Sequence, residues 1–118
     1  RVDDFTRAAP RLGRSARHRT GVLLAFAVNE IPAAADRDAL LSDLIAHARD
    51  GACLLVVEPL ARGVAPWWPE WQRTFEAAGG RAGEWRVAPT LPAIVEKLDR
   101  AAGLRHQQIR GRSLSLAI

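Results

Sequence analysis

Asn29 and Glu30 stand directly after an apolar stretch, Gly21 to Val28, and directly before Ile31-Pro32. A continuous run of this kind, rich in Val, Leu and Phe, suits a strand buried on both faces, as in a parallel sheet covered by helices. In open α/β sheets ligands sit beyond the carboxyl ends of the strands, so an amide and a carboxylate at that point are placed for chemistry. The amide of Asn29 can align a polar substrate group. Glu30 can fix a cationic or hydroxyl-bearing substrate, or act as a base if burial raises its pKa. The plainer readings are a turn residue satisfying backbone groups and a structural carboxylate.

Two further groups stand beside this pair. Glu58-Pro59 closes a second apolar run, Ala52 to Val57; a carboxylate buried there needs a partner, and Arg62 is close in sequence. Trp67, Trp68 and Trp71, with Phe75 on the same helical stripe, suit an aromatic wall for a planar substrate or a flipped base, or else an anchor of their helix against the core. Other reactive residue types carry less. His18, His47 and His106 are far apart and have no metal-site spacing, Cys53 lies inside an apolar strand, and Ser113 and Ser115 lack a nucleophile elbow.

These residues need elements to hold them. Asp36 is placed to cap a helix running to Arg49, with Leu40, Leu41, Leu44, Ile45 and Ala48 on one face and Gly51 just past its end. Strand, helix and strand from Gly21 to Val57 make a right-handed βαβ unit with parallel strands, in which Pro59 prevents the second strand from continuing and leaves Glu58 beyond it. A helix spans Trp68 to Ala78, and residues 81 to 90 connect it onward. Pro92 opens another helix with the stripe Leu91, Ile94, Val95, Leu98 and Ala102, stopped by Gly103. Leu104 to Arg110 and Ser113 to Ile118 read as two short antiparallel strands around Gly111. Residues 1 to 20, with many arginines, Pro10 and Gly13, read as a loop or the truncated edge of something larger, and residues 21 to 118 as one α/β unit.

The bulk numbers bound the answer. The 118 residues allow one domain at most, with 48% apolar and 25% charged residues. Seventeen basic residues, all arginine except Lys97, against 13 acids give a net charge of +4. This balance suits a polyanionic partner such as RNA, tracked by Arg7, Arg11, Arg14, Arg17 and Arg19, or is a solvated, mobile loop in an arginine-rich chain. One cysteine rules out an internal disulfide and fits a reducing compartment. With no run long enough to span a membrane and no leader pattern, a cytoplasmic location is the expectation.

Three stretches, Leu23–Pro32, Gly51–Pro59 and Ala101–Leu104 leading into the terminal strands, together resemble the C-terminal half of class I S-adenosylmethionine-dependent methyltransferases. The pairing of Asn-Glu-Ile-Pro with a later Val-Val-Glu-Pro is also similar to a ribosomal small-subunit methyltransferase-like group. The resemblance implies a partial Rossmann-like sheet whose fourth strand ends beside the methyl donor, S-adenosyl-L-methionine, and whose last strands form an antiparallel pair. It places Asn29 and Glu30 at the junction of donor and acceptor. Asp4 and Phe5 join Asn29 on the donor, and Glu58, Trp67, Trp68 and Trp71 lie toward a small-molecule or RNA acceptor. It also implies a donor-binding N-terminal half, because the family's glycine-rich turn is missing from this sequence and Thr20-Gly21 stands where an acid often begins the fourth strand. On that reading the chain is a fragment and inactive alone. The rival is a non-catalytic Rossmann-like interaction module docking on RNA or protein through its arginines and tryptophans. The second half of a nicotinamide enzyme fits the closing strand pair less well.

Overall fold

The computed structural model describes residues 20–60, 63, 65–104 and 108–118. The chain is α/β. Four strands, β1 (Gly21–Ala25), β2 (Cys53–Pro59), β3 (Arg81–Val87) and β4 (Ile109–Ala117), form one sheet in the order β1-β2-β4-β3. Three helices alternate with them: α1 (Ala34–Arg49), α2 (Trp68–Ala77) and α3 (Ala93–Ala101).

β1 and β2 run parallel, with Leu24 opposite Val56, and β4 is antiparallel to both of its neighbours, β2 and β3. Because paired residues share a face, the register builds apolar rows: Leu24, Val56 and Leu114 in one, Leu54 and Leu116 in the next. Both rows are buried under α1, through Leu40, Leu41, Leu44, Ile45 and Ala48, and under α2, through Trp68, Trp71 and Phe75. The opposite face is open among the described residues, and Leu23 there is 63% exposed.

Several boundaries depart from the sequence reading. β1 stops at Ala25 instead of Val28: Phe26 adopts φ 55°, and Val28–Glu30 form a 3-10 turn. The apolar run ends in a buried turn, since Val28 and Ile31 go into the core although they leave the sheet; hydrophobicity alone does not separate a buried strand from a buried turn. β2 continues through Glu58 and Pro59. The N–H of Cys53 donates to the Thr20 carbonyl on the β1 side, so by the two-residue period position 59 also faces that side, where β1 has already ended. Proline's missing donor therefore costs no ladder bond.

α1 begins two residues before Asp36, after Ala33, with no side-chain cap; Asp36 sits in its first turn. Gly51 takes φ 101° just past the helix, as its position suggests. Residues 81 to 87, expected as connection, are an edge strand whose side chains are almost all exposed, which is why no apolar alternation marks it. β4 runs unbroken through Gly111, and its antiparallel partner β3 precedes α3 in the chain, so the final pair is not a hairpin. The α3 stripe does not face the core: Ile94 is 65% and Leu98 63% exposed.

Gly111 is required by its neighbour. It stands opposite Trp85, and a β-carbon there would lie only 2.1 Å from the nearest indole carbon, far inside van der Waals contact. Gly111→Ala is expected to expel Trp85 and cost about 1–3 kcal/mol. Urea denaturation checks this, and the cost should shrink in a Trp85→Ala background, since the clash is then gone.

Candidate functional site

The carboxyl ends of β1 and β2 meet at one rim, and Glu58 is its centre. In strand β2 it belongs to the core-facing set with Leu54 and Val56, so its carboxylate is carried under the helices and is 0% exposed. The turn after β1 supplies the groups that satisfy it. Val28 N–H donates to Oε1 at 3.2 Å, and the Asn29 amide donates to Oε2 at 3.3 Å. Asn29 Oδ1 in turn accepts from Trp67 Nε1 at 2.8 Å. An indole N–H is a donor only, so Asn29 must turn its oxygen to Trp67 and its NH2 to Glu58. A continuous chain from Trp67 through Asn29 to Glu58 thus ties α2's entry, the 3-10 turn and β2 together.

Burial pushes the Glu58 carboxyl above its ordinary pKa. Hydrogen bonds from the Val28 and Asn29 backbone and the charge of Arg112 pull it back, and the charge of Glu30 adds to the rise. Arg112 is the residue paired with Glu58 across β2 and β4, and it also pairs with Glu84 across β4 and β3. Its guanidinium carbon lies 4.5 Å from the Trp68 ring centroid. Desolvation lowers the Arg112 pKa, against the attraction of Glu58 and Glu84. Its Nε is buried without a hydrogen-bond partner. From the first turn of α1, Arg37 donates to the carbonyls of Ile31 and Pro32 at 2.6 and 3.2 Å, which fixes the exit of the turn.

The structure therefore brings together Asn29, Glu58 and Trp67, with Glu30 exposed on the same turn. Asn29 is half-buried, and its amide keeps one N–H not taken by Glu58. Glu58 reaches no solvent, so it positions Asn29 and Val28 instead of meeting a substrate directly. Trp67, Trp68 and Trp71 all lie in the buried core, as the anchoring alternative has them: Trp67 packs edge-on to Trp71 at 4.9 Å, and Trp71 stacks with Phe75 at 6.5 Å. Asp4, Phe5 and Arg62 lie outside the described residues, as do the five N-terminal arginines. Sequence reasoning missed Arg112 and Arg37 because only strand register and the fold-back of α1 bring them to the rim.

The sequence matches no family model and no curated protein. Among the described residues no helix is long and apolar enough to cross a membrane, and no group of three or more His, Cys, Asp or Glu is placed to hold a metal ion. The rim offers an amide held in one orientation by Glu58 and Trp67, with an exposed carboxylate next to it in sequence.

Proposed function

We propose that the chain is one half of a domain that transfers a methyl group from S-adenosyl-L-methionine to a small-molecule or RNA acceptor. The observation that carries this is the parallel β1–β2 pair, extended by an antiparallel β4–β3 pair, with Asn29 and Glu58 joined at the carboxyl rim. Open α/β sheets bind ligands at this end. The outer edge of β1 bears no strand among the described residues, and there a donor-binding half would continue the sheet. The described residues fit one wall of a donor site only, since the sequence has no glycine-rich turn to hold the donor's carboxylate.

The donor brings a methyl group already activated on a sulfonium, so the protein's part is alignment. Asn29, locked by Trp67 and Glu58, directs its remaining N–H at the reactants, and Glu30 takes the acceptor's proton. In a protein that includes a donor-binding half, Asn29→Ala is expected to lower methyl transfer by about 100-fold or more, the scale of losing an oriented donor, while circular dichroism shows the fold retained. Full activity in this variant refutes the role. Tight donor binding by the 118 residues alone would contradict the half-domain reading.

A second reading has its own support in the open sheet face and the exposed α3 stripe, which suit a non-catalytic interaction module. It expects salt-sensitive RNA affinity, or a protein complex, without dependence on the methyl donor.

A further inference from the structure

The aromatic contact that the tryptophans do not offer is available elsewhere on the rim. Phe26 is the first residue beyond β1, and among the described residues it is the only non-glycine residue with positive φ, at 55°. For a bulky L-residue this is a strained backbone, and such strain persists where the surroundings enforce it, often at ligand sites. The enforcement is visible here. Phe26 N–H is held by the Val57 carbonyl at 2.9 Å, and two residues later Val28 is buried and donates to Glu58. The chain must turn left between these two points.

Glycine performs such a turn without strain. Phenylalanine is present instead, and not for the core, since it is 54% exposed. Its ring sits three residues before Asn29 and four before the exposed Glu30, so the same short turn combines an apolar planar surface with an amide and a carboxylate. A planar ring bearing amino groups satisfies all three at once. We propose that Phe26 is the stacking platform for a nucleobase, with the Asn29–Glu30 turn meeting the base's polar edge. This rests on the rim being the reaction site and names the ligand class it takes. The base belongs either to the donor's adenosine or to an RNA acceptor.

The chain has three phenylalanines, so ring-labelled protein gives a simple NMR spectrum. S-adenosylhomocysteine and a short single-stranded RNA are titrated separately, to high excess, into the 118-residue chain, for which the half-domain reading leaves only weak binding. An upfield shift of the Phe26 ring with either probe is the expected result, and the probe that causes it identifies the source of the base. Phe26→Tyr should keep the affinity, and Phe26→Leu should lose about tenfold, as stacking contacts do. Phe26→Gly should bind no base yet melt at the same or a higher temperature, because the turn is relieved. The proposal is overturned if neither probe moves the ring, if Phe26→Leu binds as the parent does, or if Phe26→Gly melts lower, which would make the ring a packing element. Base binding without methyl transfer in a protein that includes the donor half would sink the transfer reading alone. Methyl transfer unaffected by Phe26→Leu would sink only this one.

Discussion

Glu58→Ala is expected to destabilise the fold by about 2–4 kcal/mol, the cost of leaving two hydrogen-bond donors at the core without their acceptor. The loss has three sources in the structure. Val28 N–H and the Asn29 amide lose their acceptors, and Arg112, half-buried, loses one of its two cross-strand carboxylates and keeps Glu84. Against a total stability of about 5–15 kcal/mol for a domain, this is a large fraction. Chemical denaturation at pH 7 measures it, and a loss below about 1 kcal/mol would mean that Glu58 behaves as a surface group.

The pH dependence has a definite sign. Burial raises the folded carboxyl pKa above its ordinary 4.5, so between the two values the folded state binds more protons than the unfolded state. The contribution of Glu58 is therefore fully present below pH 4.5 and declines as pH rises through the folded pKa. Glu58→Gln has no such titration. The stability difference, parent minus Glu58→Gln, is expected to fall as pH rises from 4.5 and then level off. A difference that grows with pH would show that Arg112 and the backbone donors outweigh desolvation.

Trp71→Ala is the second large effect, at about 3–5 kcal/mol. The indole is 1% exposed and lies between Trp67 and Phe75, so truncation opens a cavity in the middle of the core. Trp71→Phe should cost far less: it keeps an aromatic ring and removes an indole N–H that is buried with no acceptor. Thermal melts of the two variants decide the matter. If Trp71 instead lined a substrate wall, Trp71→Ala would melt like the parent and lose only ligand binding.

The tryptophan cluster illustrates how far residue pattern reaches. Spacing of Trp68, Trp71 and Phe75 correctly gives one helical stripe, but a stripe facing a substrate and a stripe facing the core have the same period. The α3 stripe errs the other way, since its apolar residues stay uncovered. Period reports that a face is apolar, and only packing reports what covers it. The site shows the same division. Asn29 and Glu58 are legible as polar residues ending apolar runs, whereas Arg112 takes its place through the β2–β4 register and has no local signal.

By itself the sequence determined the α/β alternation, the parallel βαβ unit of β1, α1 and β2, and the polar residues at its rim. These follow from local quantities: apolar run length, helical period, and glycine and proline at the ends. Tertiary structure alone decided that β4 inserts between β2 and β3, that β1 breaks at Phe26, and that Glu58 is sealed beneath the helices. Strand order and burial are set by long-range pairing and by competition for the same core, and residues that never meet in sequence settle that competition.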